Sequence, residues 1–171
     1  MTRGLGAGRG ATYNRVVPRA PRPAPAPPPV PVEFRVLNEI GIVEQLSRNR
    51  FERVLPAGLS VAQFSVLNHF VRLGGTPSLV ALARAFQVSK PAMGKLVRKL
   101  AEQGLVDVRA DPDDARGKRV SITDAGVATH GAAIAALEPE LARLRGALGA
   151  ASFEALLPGL QRLRQWLDTH R

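Results

Sequence analysis

The stretch that most constrains the fold runs from Leu105 to Gly126 and reads LVDVRADPDDARGKRVSITDAG. It contains two short β-prone runs, Leu105–Arg109 and Lys118–Ile122, joined by a loop that mixes carboxylates with arginines. This pattern is typical of a hairpin held away from the body of a domain. Directly before it, residues 79–104 have the apolar spacing of two helices separated by a tight turn. A helix-turn-helix followed at once by a basic hairpin predicts an α+β, mostly helical winged helix, whose usual partner is duplex DNA.

Helix start signals support this assignment. Ser60 with Gln63 three residues later has the pattern of a capping box, so a helix is expected over about Val61–Leu73, before a glycine pair. Ser78 and Ser89 can cap the next two helices. The last of these carries apolar residues at positions i, i+3, i+4 and i+7, which are expected to face the core: Met93, Leu96, Val97 and Leu100.

The opposite face of that last helix is the predicted DNA-contacting surface. It is rich in lysine and arginine, and the exposed amides at a helix start also attract phosphate. A basic stripe alone is more often an ordinary solvated face, but the adjoining basic hairpin favours DNA. The candidate DNA-binding residues are Ser89, Lys90, Pro91, Ala92, Gly94, Lys95 and Arg98 in the helix, and Arg116, Lys118 and Arg119 in the hairpin.

Three segments, LSVAQFSVLNHF, LVALARAFQVSKPAMGKLVRKLAEQGLV and DPDDARGKRVSITDAG, resemble the MarR family of bacterial winged-helix regulators. The resemblance covers about Glu33–Arg171, and its most specific part is the pattern DxRxxxVxIT that starts at Asp114. It implies homodimers, most often repressors, that bind inverted-repeat operators with the recognition helix in the major groove. It also implies that Arg116 enters the minor groove while Asp114 holds it in position. A small-molecule effector at the junction of the dimerisation and DNA-binding parts is implied in the same way.

Three positions of the recognition helix depart from the family pattern. Members often carry threonine or serine where this chain has Ala92 and Gly94, and arginine where it has Lys95. Fewer side-chain hydrogen-bonding groups are therefore available for base edges, which are the source of direct sequence readout. Gly94 weakens the helix by roughly 1 kcal/mol relative to alanine, although glycine also permits a close approach of the backbone to DNA. An alternative function therefore stays open: a winged-helix protein-interaction module with weak or non-specific DNA binding.

Apolar residues at helical spacing flank the winged helix on both sides. Glu33–Leu55 is one predicted helix, and the residues expected to be buried in it are Phe34, Leu37, Ile40, Val43, Leu46 and Phe51. After Thr123, a predicted N-cap, a heptad seam runs from Val127 to Leu148. Pro139 is expected to kink or split that helix near Glu138. Ser152 is expected to cap a final helix.

This apolar surface packs either within one chain or across a two-fold interface, and the second solution is the common one for such flanking helices. The resemblance points the same way. The predicted dimerisation residues are Phe34, Leu37, Leu137, Leu141, Leu144, Leu148, Leu156, Leu160 and Leu163.

The charge balance agrees with a polyanion-binding or membrane-surface protein, since 24 basic and 14 acidic residues give a formal net charge of +10. Residues 1–32 hold five arginines, no acid and eight of the 14 prolines, so this tail is expected to be disordered. It would be a basic arm, a solvated extension or an over-long gene model. The MarR-like domain is then 33–171, with its winged helix at about 60–123 and dimerisation helices at about 33–55 and 124–171.

Several function classes are disfavoured. The chain has no cysteine, which excludes disulfides and thiolate metal sites, and its three histidines are scattered, so no metal or cofactor is expected. The acidic residues around Asp111 do not form a calcium loop, because Arg116 and Ile122 stand where glycine and glutamate are needed. No catalytic motif is visible, so an enzyme is not expected. Without a signal-peptide-like segment or a run of about 18 apolar residues, a cytoplasmic, nucleoid-associated protein is expected.

Overall fold

The computed structural model describes residues 29–112 and 114–170. Residues 1–28 fall outside this range, so the prediction for most of the tail is not addressed, while Val32 already begins a helix. The elements in chain order are α1 (Val32–Val54), α2 (Val61–Leu73), α3 (Leu79–Ala85), α4 (Lys90–Glu102), β1 (Val106–Asp111), β2 (Asp114–Ile122), α5 (Asp124–Leu148) and α6 (Ala150–Thr169). The predicted winged helix is confirmed: α2 to α4 are followed directly by the hairpin β1–β2.

The predicted helix caps are confirmed. The Oγ atom of Ser60 accepts a hydrogen bond from the amide of Gln63 at 3.2 Å, and Oε1 of Gln63 accepts one from the amide of Ser60 at 3.0 Å. Ser78 and Ser89 each accept a bond from the amide three residues on, at 3.1 and 3.3 Å. Thr123 caps α5 in the same way, at 3.0 Å. These bonds satisfy amides that a helix start would otherwise leave unpaired, which is why the helices begin where they do.

One hydrophobic core joins α2, α3, α4, the hairpin and the middle of α5. The apolar faces predicted for α3 and α4 are confirmed, with Leu96 only half-buried. The main core side chains are Val66, Leu67, Phe70, Leu82, Met93, Val97, Leu100, Val120 and Ala133. Because the core holds α4 by one face only, its other face is free to contact a partner.

The hairpin is longer than predicted. Its strands pair antiparallel from Val106 opposite Ile122 outward, and only residues 112 and 113 lie between them. Backbone pairing therefore extends through the polar residues that were expected to form a loop. The base of β2 is tied to the loop before α3, because the amide of Val120 donates to the carbonyl of Pro77 at 3.1 Å. Gly117 lies so close to Asp111 that a Cβ there would be 2.8 Å from that residue's own Cβ.

Of the predictions for the C-terminal helices, the split at Pro139 and the cap at Ser152 are not observed, while a kink at Pro139 stays a prediction. No split occurs near Glu138, since α5 runs without interruption through Pro139. Leu137 is buried just before the proline, so packing offsets the backbone hydrogen bond that proline cannot make. Ser152 does not cap α6, which begins after Gly149 at a φ of +78°. The chain turns early at this glycine, and the Ser152 hydroxyl donates instead to the carbonyl of Leu148 at 2.7 Å.

The terminal helices α1 and α6 contain no buried residue. The expectation that the apolar face of α1 is buried is therefore wrong for the single chain: Phe34 is 60% and Val43 61% exposed. Leu137 differs from the other predicted dimerisation residues, because the chain itself already covers it. None of the helices in the described ranges is long and apolar enough to cross a lipid bilayer.

Candidate nucleic-acid interface

Helix α4 presents a polar face to solvent. At about 100° per residue, the buried positions Met93 and Val97 place Lys95 and Arg98 on the other side of the helix. All the predicted DNA-binding residues of this segment are exposed except Gly94, which is half-buried. The pyrrolidine ring of Pro91 lies in the first turn, where the absent amide hydrogen costs no helical bond. The helix thus offers its N-terminal half to a partner.

A groove of about 580 Å³ separates α4 from the hairpin. Lys90, Gly94 and Arg98 line it from the helix, and Arg116 and Lys118 line it from the hairpin. Residues 18 to 28 positions apart in sequence are therefore brought to one basic groove, which we call the wing groove. A cluster of positive charges raises the local concentration of phosphate groups.

The opposite flank of α4 carries a second groove, of about 520 Å³, against α2 and the end of α1. Lys95 faces this side together with Lys99 and Arg48. Sequence reasoning missed these last two residues as candidates. Lys99 could have been found, since it follows Lys95 by one helical turn; Arg48 could not, because α1 is remote in sequence and its ion pair with Glu44 resembles an ordinary surface pair.

Asp114 holds the backbone of the wing. Its Oδ1 atom accepts a hydrogen bond from the amide of Arg116 at 2.9 Å. This Asx-type turn orients the start of β2 and leaves the Arg116 side chain exposed. Asp114 therefore lies where the family resemblance requires a positioning residue, although the contact is to the backbone of Arg116.

Arg119 is turned toward the body of the protein. Its Nε atom lies 2.9 Å from Oδ2 of Asp111, whose carboxylate is buried, and its Nη1 donates to the carbonyl of Thr76 at 3.4 Å. The residue also bridges Ser78 through the backbone. Arg119 thus braces the base of the wing against the loop before α3, and its contact with DNA stays a prediction.

A third cavity, of about 870 Å³, lies between α1, α2 and α6. Apolar residues such as Leu37 and Leu160 line it together with His69, Arg72 and Arg164. Burial lowers the pKa of His69 below its usual value of 6.5, and the nearby positive charge of Arg72 lowers it further. We call this the junction cavity, because it separates the terminal helices from the winged helix. The described residues contain no group of three metal-ligating side chains.

The MarR family model matches residues 57–117, which span α2 to the wing. The winged helix of this chain is similar to that of the MarR family. No curated protein sequence matches the chain.

Among solved structures, the transcriptional regulator BldR from Sulfolobus solfataricus is 26% identical, with a TM-score of 0.66, over 78% of this chain and 95% of that one. Wild-type MarR from E. coli, in its apo form, is 24% identical, with a TM-score of 0.64, over 78% and 96% of the two chains. BpsR from Bordetella bronchiseptica is 24% identical, with a TM-score of 0.62, over 76% and 98%. The fold extends beyond the winged helix to the terminal helices, and it is that of DNA-binding transcriptional regulators.

Proposed function

We propose that this protein is a homodimeric transcriptional repressor that binds an inverted-repeat operator. The observation that carries the proposal is the wing groove, where cations of α4 and of the hairpin converge beside an exposed recognition helix. In this arrangement α4 enters the major groove, and the wing lies along the adjacent backbone. Phosphate contacts supply most of the affinity and make it strongly dependent on salt.

Arg116 is the minor-groove residue in this proposal. Its side chain is exposed at the wing, and Asp114 fixes the backbone that carries it. A guanidinium inserted into a narrow minor groove gains from the negative potential there. Arg119 contributes by holding the base of the hairpin through its ion pair with Asp111, which keeps the wing at a set distance from α4.

The dimer forms through the terminal helices. A large apolar groove, about 940 Å³, runs between α1 and α6 and is lined by Phe34, Val43, Leu156 and Leu160. Contiguous exposed apolar surface of this kind marks an interaction site in a water-exposed protein. A second copy supplies the same surface in two-fold symmetry, so both recognition helices are presented to one operator.

The junction cavity is the proposed effector site. Arg72 and Arg164 outnumber the one carboxylate of the lining, Asp168, and favour a small anion, and the apolar lining favours a ring. Related structures include BpsR, whose DNA binding is regulated by 6-hydroxynicotinic acid, and RdhR-CbdbA1625 in its 2,4-dichlorophenol-bound form. A ligand wedged between the terminal helices and α2 would change the spacing of the two winged helices and release the operator.

The test is a gel-shift titration of the purified protein on inverted repeats that flank its gene. Arg116→Ala is expected to weaken binding about tenfold, because the minor-groove contact is lost. Arg145→Ala is the matched control, since it removes an exposed arginine of α5 that pairs with Glu138. Both variants should keep the wild-type melting temperature.

Wild-type affinity in Arg116→Ala would remove the wing from the mechanism. Failure of the wild-type protein to shift any duplex would favour the alternative function, a winged-helix protein-interaction module.

A further inference from the structure

The DNA-facing part of α4 offers hydrogen-bond donors and almost no acceptor. Its exposed polar side chains are Lys90, Lys95 and Arg98, all of which can only donate. The hydroxyl of Ser89 already accepts the capping bond from the amide of Ala92. The first carboxylate along the helix, Glu102, lies one turn beyond Arg98, at the end that leads away from the groove.

Neighbouring amide side chains do not fill this gap. Gln103 follows the C-terminal end of α4 and is bonded to Gln63 and to the carbonyl of Gly58. Gln87 lines the junction cavity. The acidic hairpin residues that the structure describes are engaged as well: Asp107 pairs with Arg109, Asp111 with Arg119, and Asp114 with the amide of Arg116. No acceptor side chain in the described ranges is thus both close to the first two turns of α4 and without a bond of its own.

The excess of hydrogen-bond donors over acceptors on α4 favours some bases over others. In the major groove guanine presents two adjacent acceptors, N7 and O6, whereas adenine and cytosine each present an amino donor that needs an acceptor. A lysine or arginine can donate to both acceptors of guanine at once, whereas in an A·T pair the acceptors N7 of adenine and O4 of thymine are separated by the amino group of adenine. We propose that each operator half-site presents guanines to Lys95 and Arg98, an inference that rests on the proposed DNA-binding function.

The two cations reach different base pairs. Arg98 lines the wing groove, and Lys95 lines the groove on the opposite flank of α4. They are three residues apart, or about 4.5 Å along the helix axis, which exceeds the spacing of about 3.4 Å between successive bases of one strand. The half-site therefore contains two contacted guanines at separate positions.

Gly94 fits this arrangement. A Cβ there would meet only Cδ2 of Leu79, at an ordinary 3.8 Å, so the protein's own packing does not require glycine. The missing side chain leaves the wing groove open beside Arg98, which lies one turn further along the helix. Beside it, Pro91 and Ala92 give apolar surface of the kind that contacts the methyl group of thymine.

The experiment selects bound duplexes from a random pool with the wild-type protein, with Lys95→Ala and with Arg98→Ala. Arg109→Ala, an exposed arginine on the hairpin, is the matched control. Wild-type and control proteins are expected to enrich half-sites with two guanines, and each α4 variant to lose its preference at one of them, by about tenfold. Replacing either guanine by 7-deazaguanine, which lacks the N7 acceptor, should weaken the wild-type protein by a similar factor and leave the corresponding variant unchanged.

The outcomes separate the inference from the function on which it rests. Enriched half-sites with A·T pairs at the positions sensitive to Lys95→Ala and Arg98→Ala would overturn the inference while DNA binding stands. Salt-sensitive binding of all duplexes without enrichment would overturn it as well. No binding to any duplex would overturn the proposed function, and the inference with it. All three variants change exposed side chains, so circular dichroism should show wild-type folding.

Discussion

The winged helix and the terminal helices differ in how much of their apolar surface is buried. In the winged helix, Val66, Leu82 and Val120 are completely inaccessible to solvent. The 23-residue α1 and the 20-residue α6 are longer than α2, α3 and α4, yet neither contains a buried residue. The winged helix therefore has a complete core within one chain, whereas the terminal helices carry apolar surface that the described residues do not cover.

This contrast separates two contributions to stability. Long helices gain most of their stability from packing of an apolar face and little from intrinsic propensity. The core should therefore keep its free energy of unfolding whatever the protein concentration. The terminal helices should depend on association, because in the proposed dimer a second copy buries their apolar faces.

The largest expected effect comes from placing charge on the apolar face of α6. Leu156→Glu combined with Leu160→Glu should abolish the dimer, since two carboxylates would be buried without partners. Sedimentation should then show monomer or aggregate, and high-affinity operator binding should be lost because one half-site alone loses the second helix's contacts. Gln161→Glu combined with Gln165→Glu adds the same charge at exposed polar positions and should leave the dimer intact. A wild-type protein that sediments as a monomer at micromolar concentration would contradict the whole arrangement.

A second substitution addresses the core. Phe70→Ala removes one of the largest fully buried side chains and should lower the free energy of unfolding by about 3–5 kcal/mol. Phe153→Ala, on α6, is the counterpart: its side chain is 39% exposed in the single chain, so its loss should weaken association more than folding. Chemical denaturation and sedimentation of both variants measure the two effects. If Phe70→Ala and Phe153→Ala lost the same dimer affinity, folding of the core and association through the terminal helices would not be separable.

A third, smaller effect is expected where α5 meets the hairpin. A Cβ at Gly126 would lie 2.1 Å from the carbonyl oxygen of Leu105, so Gly126→Ala must move backbone and should cost about 1–3 kcal/mol. Gly131→Ala, one and a half turns further along α5, is the matched control. Nothing lies within 4 Å of a Cβ there, so it should raise stability by up to about 1 kcal/mol through helix propensity. Thermal unfolding distinguishes the two; stabilisation by Gly126→Ala would mean that α5 does not press against Leu105.

The features that were predicted correctly from sequence depend on residues that lie close together in the chain. A cap needs one side chain and an amide three residues away, so Ser60, Ser78, Ser89 and Thr123 marked their helices correctly. The faces of α3 and α4 followed from periodicity for the same reason. Ser152 misled because Gly149, at positive φ, ends one helix and starts the next three residues earlier.

What escaped prediction depends on partners that are distant in sequence. The register of the hairpin is set by backbone pairing, which extends through polar residues that carry no strand signal of their own. Arg119 looked like any wing cation, yet across the hairpin it meets the buried carboxylate of Asp111. Arg48 joins the flank of α4 only because α1 folds back beside α2. Such pairings are properties of topology, so a pattern within one segment cannot reveal them.

The smallest predicted effect concerns His69, which lies where the two regions meet. Its ring stands 5.3 Å from that of Phe86, and the junction cavity around it also contains Arg72, Arg164 and Asp168. Because burial and then Arg72 lower its pKa in the folded protein, the unfolded chain binds the proton at a higher pH than the folded chain does. His69 therefore lowers stability as the pH falls below its unfolded value of about 6.5, and the loss levels off below the folded pKa.

His69→Gln should reduce the decline of the melting temperature between about pH 7.5 and 5, and Arg72→Gln should reduce it less, because burial is the larger cause and is unchanged. The effect is modest, since the side chain is only half-buried and solvent screens its charge. A decline identical to wild type in His69→Gln would assign the pH dependence to other groups. A different result would be that His69→Gln reduces the decline of the melting temperature only at protein concentrations high enough for dimers to form. In that case His69 titrates in a cavity that the second chain helps to close, and the winged helix and the terminal helices are coupled through it.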